Sequence, residues 1–210
     1  RDCLLSRGLG DVYKRQLLIL LPLCGNIDYV LGLWLVDVPA HTANFVVLVL
    51  LYSLLDGILT PIAIGVFAQG EIKAYEIALC IIYAVNFIAS YVCLKLGMAP
   101  ETVFVLNIAF KACVLADLLV HSKAKYAFPV HAFLKQCLLP SAVVFVLSGA
   151  FTYFMPWEAP NSFWEFLLHT LAIIICTSLM ALAIGMTKGE RLFLKKNLRD
   201  KITVKLYRKI

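Results

Sequence analysis

Charge is scarce in this chain. Of its 210 residues, 15% are Asp, Glu, Lys or Arg and 62% are hydrophobic. An ordinary soluble domain is about a quarter charged, so this is the composition of a polytopic membrane protein. Enzyme signatures are also missing. There is no H-E-x-x-H, Gly-rich phosphate loop or G-x-S-x-G, and no pair of carboxylates on a soluble face. No catalytic residue is assigned, and nothing calls for a cofactor. The seven cysteines make no C-x-x-C pair. Cys24, Cys80, Cys93, Cys113, Cys137 and Cys176 stand singly in apolar runs and read as small hydrophobes, not metal ligands. No methionine precedes Met98. Arg1–Gln16 has neither a helical period nor a signal-peptide pattern and reads as adaptor-derived sequence outside the native fold. On that reading the native protein begins upstream of Leu17, and the chain is a fragment.

What is present is long apolar runs. The clearest is Asn44–Phe67, which a polar turn carrying Lys73 joins to Ile77–Gly97. Phe45 to Phe67 contains fifteen Leu, Ile, Val or Phe residues. At roughly 0.3–0.6 kcal/mol each they favour insertion by about 5–9 kcal/mol. Asp56 at mid-depth opposes this by only about 3 kcal/mol. The run therefore inserts and carries its carboxylate with it. Further spans are expected at 17–36, 102–121, 136–155 and 163–186, about six in all, forming one all-α helical bundle over 17–187. In the first of these, Pro22, Gly25 and Asn26 interrupt the run. A second reading ends that helix near Cys24 and lays Asp28–Leu35 at the interface, where Tyr29 and Trp34 suit the depth. Thr102–His121 is the weakest span, because Lys111 and Asp117 oppose its insertion and require partners within a bundle.

The net charge of +6 does not form a stripe on a soluble domain, so nucleic acid is not the expected partner. The basic residues cluster at span ends, in the loop holding Lys123, Lys125 and Lys135, and in the tail 188–210, which has nine. In the tail, Leu194, Leu198, Ile202 and Leu206 recur every fourth residue, as in a cationic amphipathic helix. Lys195, Lys196 and Arg199 are its expected contacts with anionic lipid headgroups. The asymmetry of Lys and Arg between loops puts the Lys73 turn, the 122–135 loop and the C-terminus in the cytoplasm.

Individual residues carry two readings each. Asp56 either pairs with a cation across the lobe or binds a coupling ion, H+ or Na+, or else serves as a helix-packing carboxylate. Lys111 either faces a water-filled cavity or forms an ion pair with Asp56 inside the bundle. Asp117 and His121 are four apart on one helical face, as are Asn107 and Lys111. Asn86 and Asn107 are candidate ligands, with interhelical hydrogen bonding as the plainer role. Gly57, Pro61 and Pro140 are candidate hinges, although transmembrane helices tolerate proline generally.

The stretches LGLWLVDVPAHTANF, YSLLDGILTPIAIGVFAQGEIKAYEI, NFIASYVCLKLGMAPETVFVLNIAF, FLKQCLLPSAVV and IGMTKGER occur in order between Leu31 and Arg191. In these the chain resembles the C-terminal half of bacterial oligosaccharide flippases. These are polysaccharide and lipopolysaccharide biosynthesis proteins of the exporter superfamily that includes the MATE drug transporters. The resemblance covers essentially Leu17–Arg191 and implies one lobe of a two-lobe MATE-like fold in the bacterial inner membrane. It further implies that undecaprenyl-pyrophosphate-linked oligosaccharide is the cargo, that a second lobe lies upstream, and that polymerase and glycosyltransferases are neighbours. Lys111 and the residues around it would then contribute cationic lining for the pyrophosphate. Asp117 stands where the family usually shows Arg, and Lys111 where an apolar residue is common. The alternatives are a MATE-type drug or cation antiporter lobe and a non-transporting membrane subunit of the polysaccharide machinery. A membrane-embedded transferase has no motif to support it.

Overall fold

The computed structural model describes residues 2–68, 70, 72–126, 128–154, 160 and 162–184. Among these residues the chain is helical, with no strand. In order come α1 (Asp2–Gly25), α2 (Ile27–Trp34), α3 (Thr42–Phe67), α4 (Lys73–Lys95), α5 (Glu101–Tyr126), α6 (Val130–Phe133), a π-helical turn (Leu134–Leu138), α7 (Leu139–Phe154) and α8 (Phe163–Ala183).

The first helix departs from the sequence expectation. Arg1–Gln16 was expected to have no helical period, yet α1 runs from Asp2 to Gly25 without a break at 16/17. The reason is a stripe that straddles that point. Tyr13, Leu17, Leu20, Leu21 and Cys24 follow helical spacing, and the first four are buried core residues. Burial pushes the Tyr13 phenol up to about 12, with a smaller contribution from the Cys137 thiol. The run 17–36 does not form one straight helix. After Gly25 the chain turns by 74° into α2, so the expected span is a bent pair broken where Gly25 and Asn26 interrupt it. Asn26 explains the break, because its side-chain Nδ2 donates to the Pro22 carbonyl at 2.9 Å and so competes with the helical backbone.

The centre of the chain is a three-helix unit in which α5 packs against both α3 and α4. Two glycines in left-handed conformation allow the tight reversals, Gly70 between α3 and α4 and Gly97 between α4 and α5. At the second, Met98 N–H donates to Cys93 O at 3.2 Å, closing a glycine-ended helix terminus. Two reversals make α3 and α5 parallel, with α4 antiparallel to both. Helix α1 joins this unit to α7 and α8, touching α3, α7 and α8. The core follows it, running from Leu17 and Leu20 to Leu54, Ile58, Val144 and Ile173. Helix α4 lies at the rim and buries only Tyr75 and Asn86.

Among the described residues four helices are long and apolar enough to cross a bilayer, or five if the bent α1–α2 pair counts as one span. The expected span at 136–155 is the exception. Its α7 has 16 residues, about 24 Å at 1.5 Å per residue, short of a core of roughly 30 Å. It is extended upstream instead, since α6 and the π turn lead into it without interruption. Proline at position 140 has no N–H for the Gln136 carbonyl, and the π turn lies directly upstream, with Leu139 N–H bonded to Leu134 O. The expected basic loop 122–135 is also mostly helical, because α5 continues to Tyr126 and helix resumes at Val130. Ser122, fully buried, donates to Leu118 O at 2.6 Å within that extension.

Candidate membrane-embedded polar site

The parallel register of α3 and α5 sets which residues meet. At the start of both helices, His41 Nδ1 is hydrogen-bonded to Glu101 Oε1, and Asn44 donates to the same Glu101 oxygen at 3.3 Å. Phe45 and Phe104 follow, with ring centroids 5.3 Å apart. Two turns further in, the register brings Lys111 of α5 against Tyr52 and Asp56 of α3. Lys111 Nζ lies 2.5 Å from Asp56 Oδ1 and donates to Tyr52 Oη at 3.1 Å. The ammonium also lies 4.7 Å from the centroid of the Tyr52 ring.

One turn before Lys111, Asn107 accepts a hydrogen bond from Asn86 Nδ2 of α4 at 2.5 Å. The (i, i+4) spacing of Asn107 and Lys111 therefore gives α5 one polar face with two partners, α4 at Asn107 and α3 at Lys111. Asn86 is buried, and its Oδ1 has no hydrogen-bond partner among the described residues.

Exposure divides the ion pair. The Lys111 side chain is 9% exposed and that of Asp56 is 50%. Asp56 also lies on an open stripe of α3, with Ser53 and Thr60 one turn to either side, both exposed. Their hydroxyls bond to the backbone, Ser53 to Val49 O and Thr60 to Asp56 O, each at 2.9 Å. A polar stripe at mid-span suits water or a polar partner better than lipid tails, where an unneutralised carboxylate costs several kcal/mol.

All four candidate ligand residues thus fall on α3–α5, in two bonded pairs. Of the candidate hinges, Gly57 and Pro61 share α3 with Asp56, and Pro140 lies on α7. Gly57 packs against α1, where an added Cβ would come within 2.5–2.9 Å of the Gln16 amide group. Pro61 sits inside α3, which continues through it as one helix. Pro140 follows the π turn. Lys195, Lys196 and Arg199 lie outside the described residues. Asp117 pairs with His121 at 3.3 Å. Sequence reasoning missed Tyr52 and Gln16. Tyr52 alone carried a signal, its (i, i+4) spacing to Asp56. Among the described residues no group of three or more His, Cys, Asp or Glu could hold a metal ion.

Helices of this length and apolarity, carrying a charged pair at mid-span, define an α-helical membrane protein of the multi-span class. No protein-family model matches the chain, and no curated protein or solved structure matches it either.

Proposed function

We propose that the chain is one lobe of a transporter that flips undecaprenyl-pyrophosphate-linked oligosaccharides across the bacterial inner membrane for surface polysaccharide or lipopolysaccharide synthesis. The sequence resemblance suggests the family. The observation that carries the reading is the Lys111–Asp56–Tyr52 cluster, placed at mid-span with one side open. Charges at that depth are costly and mark pathways for polar cargo. The broken α1–α2 pair adds support, since interrupted helices accompany central sites in secondary transporters. Lys111 serves as a cationic anchor for the pyrophosphate, and the lobe rocks against a second one around this depth. The tail holding Lys195, Lys196 and Arg199 rests on the cytoplasmic leaflet.

The test is glycan export by the complete protein in cells lacking their own flippase. Lys111→Ala and Lys111→Glu should both abolish export at normal membrane levels. Export preserved in both variants would remove Lys111 from the mechanism.

The greater exposure of Asp56 favours a second reading, a drug or cation antiporter lobe in which the carboxylate is the binding group. In that case Asp56→Asn, and not Lys111→Ala, would abolish function, and the phenotype would be drug sensitivity with glycan export intact.

A further inference from the structure

The Lys111–Asp56 pair is closed on the lysine side and open on the aspartate side. An ammonium has three hydrogens to donate. Among the described residues its oxygen partners are Asp56 Oδ1 and Tyr52 Oη. Tyr52 accepts from Lys111 and so keeps its own hydroxyl hydrogen free to donate. An oxyanion arriving over the open face of α3 would therefore meet one cation and one hydroxyl donor. One group already occupies that position, the Asp56 carboxylate.

We infer that Asp56 is a displaceable counter-ion, and that a phosphate or pyrophosphate group carried by an amphiphile takes its place on Lys111. This rests on the reading of Lys111 as the anion anchor and adds how that anchor is controlled. In the empty state the internal carboxylate neutralises the lysine, so no unpaired charge stands at mid-depth. On binding, the more highly charged phosphate displaces the carboxylate, whose open side lets it turn away into water. The ion pair thereby weakens the hold on every anion. A flipping protein needs such weakening, because cargo held too firmly is not released.

The test is binding to the purified full chain in nanodiscs of zwitterionic lipid, measured by calorimetry with farnesyl pyrophosphate and with inorganic pyrophosphate. Asp56→Asn should tighten binding by about tenfold. Lys111→Ala should abolish it in both the native and the Asp56→Asn background. Tightening for the farnesyl compound alone would identify a lipid-borne anion, and tightening for both a free one; either upholds the displacement. If Asp56→Asn binds no better than the unmodified protein, the displacement is overturned while Lys111 remains the anchor. Binding that survives Lys111→Ala overturns the anchor as well, and the proposed flippase site with it. Should Asp56→Asn fail to fold, infrared difference spectra of the unmodified protein labelled with 13C-aspartate decide the matter. Farnesyl pyrophosphate must then shift a carboxylate band, and an unchanged spectrum refutes the displacement.

Discussion

Lys111 and Asp56 touch at 2.5 Å, yet the aspartate side chain is 50% exposed and the lysine 9%. The two halves of the pair should therefore respond differently to loss of the other. Removing one member of a buried pair costs about 3–5 kcal/mol, because the survivor is left charged and dry. Asp56→Asn strands the buried ammonium and should approach that figure. Lys111→Met strands a carboxylate that water can reach, so its cost should be nearer the ~1 kcal/mol of an exposed pair. The double variant should cost less than the two singles added together. Reversible unfolding in mixed micelles gives all three values, and the order would reverse if the open face of α3 met lipid instead of water.

Asn86 and Asn107 should hold α4 in place. That helix buries only Tyr75 and Asn86, so few other contacts compensate. Interhelical hydrogen bonds in membranes average about 0.6 kcal/mol and reach about 1.7. Asn107→Ala should lie toward the upper part of that range, because it leaves the buried Asn86 amide unpaired at both ends. Hydrogen exchange should then rise along Lys73–Lys95 and stay unchanged in α8.

Gly57 tests the packing of α1 on α3. An alanine there places Cβ against the far end of the Gln16 side chain, which can swing aside, so Gly57→Ala should be mild. Gly57→Leu cannot be accommodated this way and should cost about 1–3 kcal/mol. Gln16→Ala should recover part of that loss. Thermal melts in detergent would show the rescue, and its absence would separate Gln16 from Gly57.

Pro140→Ala restores a backbone donor opposite the Gln136 carbonyl. The π turn Leu134–Leu138 should then relax toward α geometry, and amide exchange should slow from Leu138 to Val144. The stability gain from replacing proline inside a helix runs to about 3 kcal/mol. A smaller gain is expected here, because the π turn already accommodates the ring.

Much of this architecture was legible from periodicity and length. Asn44–Phe67 and Ile77–Gly97 were expected as a helical hairpin, and α3 and α4 occupy nearly those positions. Asp117 was expected to pair with His121 or a loop lysine, and His121, one turn away on the same helix, is the partner it meets. The departures came where two signals overlapped. Tyr13 and Leu17 belong to one stripe, but the polar residues among the first sixteen masked its period. The Lys-rich 122–135 segment was expected as loop, whereas Ser122 and Phe133 are buried and helix surrounds them.

The apolar composition and the placement of rare charges alone determined an all-helical, multi-span chain with a costly carboxylate and ammonium at mid-depth. Only the tertiary structure decided that these two charges belong together and which of them faces outward. Asp56 and Lys111 are separated by two helix reversals. Their meeting depends on the parallel register of α3 and α5, a sum of many side-chain contacts that no local spacing encodes.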